Sequence, residues 1–402
     1  MQPHLSPKQK ELLDLVSTLG REKFVPRAEK YDREASFPFE NYDDLRTHNL
    51  LALCIPESFG GLGADYQTYC LVAAELARYC ATTALTFNMH CCTMLWIGSM
   101  TDDLGLPSDV QALHAHRRSA VYRRVVRDGA LYAQPFSEGN QAASGKMPFA
   151  TTATRHGEGW LVNGRKIFAS LSGAADYYSV VVTEEKPNAT ARDTLFLAIP
   201  KDADGFSIVG DWDPLGMRGT VSRTLLLQNV FVPDELMLLP PGAYFQLAVR
   251  WPYMFFTLTP TYLGLSQAIF DFTVAYLRGE VPPMREKRRR SPLKQAAVAE
   301  LKIMLESARA LFHSVIAEAG SDPSKEARLR AYAAQYTIME NVNHIATLAI
   351  RTCGGQSILR PLPLERMYRD SRCGSLMLPW TAEICIERLG RECLYEPGET
   401  DE

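Results

Sequence analysis

No C-x-x-C pair occurs anywhere in the 402 residues, and the nine cysteines are irregularly spaced, with Cys91 and Cys92 adjacent. A disulfide framework or a zinc ribbon needs regular spacing, so neither is expected, and no metal is. The opening Met1-Gln2-Pro3-His4 lacks the basic-then-apolar order of a secretory leader, which leaves a reducing, cytoplasmic setting as the expectation. Neither sign of charge is in excess. The formal net charge of -3 gives no overall pull toward nucleic acid or an anionic membrane. Internal repeats and low-complexity tracts are also missing, and 46% hydrophobic with 22% charged residues is an ordinary globular composition.

Charge is locally absent in two long stretches, Tyr79 to Thr101 and Trp251 to Phe270, neither of which holds an Asp, Glu, Lys or Arg. Stretches of this length raise the question of a membrane span. Against that, the first carries five threonines with Asn88, His90 and Ser99, and the second is broken by Pro252 and Pro260. These polar groups are costly in lipid, so both are read as inner helices of a large core, and no membrane span is expected.

At roughly 150 residues per domain, the length suggests two to three domains. Residues 1–125 read as helical: Leu12, Leu13, Val16 and Leu19 recur at three- and four-residue spacing, as do Tyr69, Val72, Ala73, Leu76 and Ala77. Between them Ile55 to Gly63 is glycine-rich; a connecting turn is its ordinary reading, and phosphate binding the sharper one. Residues 126–240 change to strand texture. Trp160 to Phe168 predicts a β-hairpin around Asn163-Gly164, and Ser179–Thr183, Thr194–Pro200 and Thr224–Pro233 are further β-rich runs. A small barrel or sandwich suits them. Residues 241–402 return to the helical period, with one face through Leu301, Leu305, Ala308 and Phe312 and another over 332–350. Ahead of them, Arg285 to Arg290 is a basic run, either a solvated loop or a site for phosphates.

Several strings in this order resemble the acyl-CoA dehydrogenase family over essentially the whole chain. Ile55-Pro56-Glu57 through Gly63 is similar to P-E-x-x-G-G-x-G, and Asn163-Gly164-Arg165-Lys166 through Asp176 to N-G-x-K…A-D. Leu215 to Thr220 is similar to G-x-R-G-[ST], Val230 to Pro233 to V-x-V-P, and Gly354-Gly355 with Glu365 to Asp370 to G-G…E-R-x-Y-R-D. The resemblance implies an α+β protein with an N-terminal helical domain, a middle β-barrel or sandwich and a C-terminal four-helix bundle. It also implies FAD, shared across the interface of a homo-oligomer, a dimer or tetramer.

By the same resemblance, the segment Gln134 to Gln141 wraps the pyrimidine side of the flavin, which assigns cofactor contacts to Phe136, Ser137, Gly139 and Asn140. Phe168 lies against the ring and Ser170 near N5, where an aromatic face and a hydrogen bond tune the flavin. Arg218 reads as an anchor of its turn. Thr381 and Glu383 correspond to residues that meet the adenosine half. The family's pyrophosphate-binding R-x-x-F-G…Q string is missing; Met284 to Gln295 stands in its place, with Arg288 and Gln295, beside Gly354 and Gly355, as the candidates.

The expected catalytic base is also missing. An α-proton is weakly acidic, and its removal from an acyl thioester requires a positioned base and a polarised carbonyl. The family's usual Glu position is Pro379, followed by Trp380, and its alternative position, ten residues before Gly264-Leu265-Ser266-Gln267, falls on Met254. Proline also lacks the N–H that would help hold the thioester oxygen. Glu138 is a carboxylate in the flavin-facing loop and the candidate base, with a solvated or structural role as its ordinary reading. His90, Arg250, Tyr253, Met254, Pro379 and Trp380 are the expected pocket residues.

Three readings follow. The first, which leads, is FAD-dependent oxidation of an acyl thioester, on CoA or a carrier protein, with hydride transfer to flavin N5 and electron-transfer flavoprotein or O2 as acceptor. The second is a monooxygenase or oxidase of the same fold acting through a C4a-(hydro)peroxide, with Asn88, His90 and Ser99 orienting oxygen or substrate; the ordinary reading of His90 is a hydrogen-bonded core histidine. The third is a non-catalytic scaffold that holds a flavin or an acyl group.

Overall fold

The computed structural model describes residues 5–282, 285–396 and Glu399. The opening Met1 to His4, and Pro283 and Met284 at the head of the basic run, lie outside the described residues.

Among the described residues, six α-helices form the first layer: α1 (Pro7–Leu19), α2 (Val25–Glu34), α3 (Phe39–Thr47), α4 (Tyr66–Ala77), α5 (Ala81–Leu95) and α6 (Ser108–Asp128). Ser6 and Gln9 close a capping box at the start of α1, and Asp65 caps α4 by accepting the Thr68 N–H. Apolar residues surround most of α4 and α5, so both run through the interior. The glycine-rich segment at Ile55 to Gly63 is a connecting turn into α4, held by main-chain bonds from Gly61 to Pro56 and Gly63 to Ile55.

The middle segment carries eight strands in one sheet. They are β1 (Tyr132–Ala133), β2 (Thr152–His156), β3 (Gly159–Ala169), β4 (Tyr177–Glu184), β5 (Thr194–Pro200), β6 (Phe206–Val209), β7 (Arg223–Pro233) and β8 (Met237–Leu239). The order is β6-β7-β3-β2-β4-β5-β8, with β1 parallel to β4. The hairpin expected at Asn163-Gly164 is not there. β3 runs straight through those residues, and the reversal lies at Gly157-Glu158 between the paired His156 and Gly159. Gly164 instead marks a register shift against β7, and a Cβ on it would lie 2.7 Å from the Thr151 backbone. The glycine serves close strand approach rather than a turn.

The C-terminal segment comprises α7 (Ala243–Arg250), α8 (Tyr253–Phe256), α9 (Thr259–Arg278), α10 (Pro292–Ala317), α11 (Lys325–Cys353), α12 (Pro363–Ser371) and α13 (Ala382–Leu394). α11 packs on α9, α10 and α13 to make the bundle. α9 also leans on α4 so closely that a Cβ at Gly264 would sit 2.1 Å from the Ala74 carbonyl oxygen. That contact joins the two helical layers. No helix among the described residues is long and apolar enough to cross a membrane.

Candidate functional site

A cavity of about 340 Å³ opens where the three segments meet, a size within the range of small-molecule sites. The two charge-free stretches supply much of its wall: Leu85, Asn88, Met89 and Trp96 from the first, and Met254, Phe255, Thr257 and Leu258 from the second. The loop after β1 adds Gln134, Phe136, Ser137, Gly139 and Asn140, and the end of β3 adds Phe168 and Ser170. The approach to β7 contributes Trp212, Met217, Thr220 and Ser222, and the turn before α13 contributes Cys373, Met377 and Pro379. Among the described residues, no Asp, Glu, Lys, Arg or His lines it.

Its aromatic members are held firmly or left bare. Helix α5 passes into a π-helical turn at Trp96–Met100, with Gly98 off the helical path, and the freed Ile97 carbonyl is bonded by His114 Nε2 and Arg118. Trp96 thereby stacks on Phe136, with ring centroids 5.1 Å apart. Phe168, by contrast, is 64% exposed and stands edge-on to Trp212. Its φ of +52° is a left-handed conformation that L-residues avoid. The ring is thus left bare at the cavity on a strained backbone.

The expected base faces the other way. The Glu138 side chain is 4% exposed and buried under the loop, where Oε1 lies 2.7 Å from Lys166 Nζ. The carboxylate also accepts the Ala150 and Thr151 N–H groups at 2.7 and 3.0 Å, and the Thr151 hydroxyl. Burial alone would raise its pKa, but Lys166 and these donors hold it below the ordinary value. Lys166 also donates to the Val181 carbonyl at 2.6 Å and sits 4.3 Å from the Phe149 ring centre. Its own pKa is drawn down to about 8 by burial, which Glu138 offsets in part. Glu138 is therefore an anchor of the loop, and the assignment as base is corrected.

Other expected pocket residues also lie outside the lining. His90 is fully buried, with Nε2 donating to the Leu51 carbonyl at 2.8 Å and Nδ1 accepting the Tyr132 N–H at 3.1 Å. Both nitrogens are spent on backbone, and burial lowers the pKa to about 4, so the ring stays neutral and cannot orient a substrate. Ser99 and Arg250 are at the surface. Tyr253 and Trp380 are buried behind the wall, Trp380 against Phe255 and Tyr332. Met254 and Pro379 do line the cavity. Asn88 lines it too, but its amide is engaged by donating to Tyr69 Oη and the Thr257 carbonyl.

Of the expected cofactor residues, Phe136, Ser137, Gly139, Asn140, Phe168 and Ser170 converge on the cavity. The others gather elsewhere. Arg288 donates to the Cys353 carbonyl beside Gly354, and Gln295 closes the same turn through Arg289. Gly355 faces open space. Thr381 caps α13 by accepting the Ile384 N–H, with exposed Glu383 beside it. Arg218 anchors its turn to the Asp32 and Pro214 carbonyls.

Sequence reasoning missed Trp96, Trp212, Met217, Thr220, Ser222 and Cys373. Thr220 lies in a recognised string, but nothing local says that Ser222, two residues on, faces the same cavity. Behind this turn the Met217 N–H donates to Asp370 at 2.6 Å, and burial raises that carboxyl to about 6. Arg369, paired with Asp32 and Glu365, also donates to the Leu215 carbonyl. The turn is thus held by both helical segments.

Comparison with known proteins gives three domain matches: acyl-CoA dehydrogenase N-terminal domain at residues 6–101, middle domain at 134–230 and C-terminal domain at 256–393. The chain is 30% identical over 396 residues to YdbM of Bacillus subtilis (strain 168), named as a conjectural acyl-CoA dehydrogenase, with 96% of this chain and 97% of that one covered. Butyryl-CoA dehydrogenase from Megasphaera elsdenii superposes with a TM-score of 0.82 at 21% identity, covering 98% of this chain and 100% of that one. Dibenzothiophene monooxygenase (TdsC) from Paenibacillus sp. A11-2, also solved with FMN bound, superposes with a TM-score of 0.78 at 23% identity, covering 94% and 96%.

Proposed function

This chain belongs to the acyl-CoA dehydrogenase family, and on that premise we propose that it is a flavin-dependent oxidoreductase that turns over with oxygen on a neutral, largely apolar substrate. The observation that carries this reading is the uncharged cavity. Dehydrogenation of an acyl thioester needs a base within about 2.6–3.2 Å of the α-proton. Cys373 is the titratable side chain in the lining, and burial holds its thiol up at about 12. It takes no proton at neutral pH, and the geometry therefore favours oxygen chemistry over the dehydrogenation that sequence placed first.

The lining fits a flavin: Phe168 offers an aromatic face and Ser170 a hydroxyl, while the Phe136 to Asn140 loop brings main-chain groups to the cavity. A bound flavin supplies the two-electron step and, once reduced, reactivity toward oxygen. The chain's own part is to hold the ring, exclude water and accept a substrate group without charge. Trp96, Phe136 and Met254 make the dry wall, and Glu138 with Lys166 keeps the loop in register. FAD is the cofactor proposed, with Thr381 and Glu383 toward its adenosine half. Its pyrophosphate would meet Arg288, Gln295, Gly354 and Gly355 of a second copy in a homo-oligomer. Nine free thiols support a reducing, cytoplasmic setting.

A second reading, oxidation of an acyl thioester with electron-transfer flavoprotein as acceptor, is favoured by the likeness to YdbM. The test is an anaerobic mix of the flavin-loaded protein with a panel of acyl-CoAs. Oxygen chemistry predicts no bleaching there, reduction by NADH with a flavin reductase, and a product labelled from isotopic O2. Bleaching by an acyl-CoA without oxygen establishes the second reading instead. A protein that takes up no flavin is the scaffold.

A further inference from the structure

Three hydroxyls at the cavity form one continuous chain. Ser170 Oγ lies 2.8 Å from Ser222 Oγ, Ser222 Oγ lies 2.7 Å from Thr220 Oγ1, and Thr220 Oγ1 donates to the Met217 carbonyl at 2.9 Å. All three residues line the cavity, Ser222 and Thr220 being buried and Ser170 partly open.

The backbone around the chain is strained on both sides. Four non-glycine residues, Phe168 (φ +52°), Leu171 (+65°), Met217 (+52°) and Val221 (+46°), are left-handed; the first two bracket Ser170, the last two bracket Thr220, and Ser222 directly follows Val221. A β-branched residue such as Val221 at positive φ is a genuine outlier. The two strands of chain are stitched by the Leu171 N–H to the Thr220 carbonyl and the Ser172 N–H to the Val221 carbonyl. Strain concentrated at one place and held by its surroundings points to a functional arrangement of the groups between.

Each hydroxyl has one hydrogen to give and two lone pairs to accept with. When Thr220 donates to Met217, Ser222 must donate to Thr220, and Ser170 to Ser222. The open end, Ser170 Oγ, then shows the cavity lone pairs only. A ligand N–H donating to it completes a run of four hydrogen bonds. The reversed chain, Thr220 to Ser222 to Ser170 to a ligand acceptor, makes three. Met217 loses nothing essential in the reversal, because its carbonyl also accepts the Thr220 N–H at 3.0 Å. Both directions satisfy the geometry, and they differ by one bond.

We infer that Ser170, Ser222 and Thr220 act as a single hydrogen-bond relay whose polarity favours a donor over an acceptor in the ligand facing Ser170. The inference rests on the flavin reading above, which it deepens. N5 of an isoalloxazine is an acceptor when oxidised and carries a hydrogen when reduced, so the relay favours the reduced cofactor. Ser170 is the contact, while Ser222 and Thr220 are positioning residues that act through it.

The test measures affinities of the wild-type apoprotein and its variants for oxidised and for reduced flavin, and the midpoint potential of the holoproteins. Ser222→Ala and Thr220→Val each remove the one-bond difference. Each should lower the preference for reduced flavin by about 3- to 10-fold, a tenfold change being about 30 mV in a two-electron potential. The Ser222→Ala/Thr220→Val double variant should show no larger effect than either single one. Thr220→Ser should retain the wild-type preference, and in a Ser170→Ala background neither substitution should change it further. Additive effects, effects that persist without Ser170, or a Thr220→Val protein with unaltered preference each overturn the relay while leaving the flavin reading intact. A wild-type protein that binds no flavin overturns both.

Discussion

Replacing Lys166 by Met probes the buried pair beneath the cavity loop. The substitution keeps most of the aliphatic stem but leaves the Glu138 carboxylate, 4% exposed, without its counter-ion 2.7 Å away. Breaking a buried pair by removing one partner costs about 3–5 kcal/mol. Glu138 keeps the Ala150 and Thr151 N–H groups and the Thr151 hydroxyl, which places the expectation at the lower end, about 3 kcal/mol. For 402 residues unfolding together at roughly 2.1 cal/mol/K per residue, that lowers Tm by about 4 °C. Glu138→Gln, which strands the ammonium and turns an amide NH2 toward other donors, should cost a similar amount. The Glu138→Gln/Lys166→Met double variant carries neither charge and should be more stable than either single variant. Thermal unfolding followed by tryptophan fluorescence at one protein concentration, with and without flavin, measures all four proteins. If each single variant lies within 1 °C of wild type and the double variant equals their sum, the pair holds nothing and the loop is fixed by other contacts.

Three further outcomes are expected. Phe168→Gly relieves a left-handed φ of +52° and removes a ring that is 64% exposed; stability should rise by up to about 1 kcal/mol while flavin affinity falls, and unchanged affinity in a flavin titration removes Phe168 from the site. Asp370 has its pKa raised to about 6 by burial, so between pH 4 and 6 the folded protein binds more protons than the unfolded one and loses about 3 kcal/mol of stability as pH rises through that window. Asp370→Asn keeps an acceptor for Met217 and should flatten the curve in chemical unfolding across that range; parallel curves contradict the assignment. Met254→Glu places a carboxyl in the uncharged wall, with its pKa raised by the apolar surroundings, and should let an acyl-CoA bleach the flavin anaerobically. No bleaching by any acyl-CoA means that more than a base is lacking for dehydrogenation.

The helix, sheet, helix order was legible because it rests on periodicity, which averages over many residues. The failures all turn on a single residue and a distant partner. Asn163-Gly164 is a strong local hairpin signal, yet Gly164 is used where Thr151 crosses too close for a side chain. Glu138 sits in the right loop, but which way it faces depends on Lys166, 28 positions along the chain. His90 reads from sequence either as a hydrogen-bonded core histidine or as a ligand-orienting group, and Leu51 and Tyr132, which take both its nitrogens, decide for the first. Ser222 has no local signal at all, since its role comes from register with Ser170 across two strained turns.

The neutral cavity and the charges around it belong together. Three sets of titratable groups act from one layer behind the lining, and each fixes one segment of the wall. Glu138 and Lys166 fix the loop that carries Phe136 to Asn140. Asp370 and Arg369 fix the turn that carries Met217 and Thr220. Arg118 and His114 take the carbonyl freed by the helix break that sets Trp96. A carboxylate moved forward into the wall would meet a medium in which its charged form is costly and its pKa shifts upward; Glu138, kept behind with backbone donors and Lys166, is held below the ordinary value. The two charge-free stretches of sequence are the forward layer of this arrangement. A wall built in this way selects against charge in whatever group enters, and its polar contribution comes from hydroxyls and amides, whose direction of donation, unlike a carboxylate's charge, follows the state of the ligand.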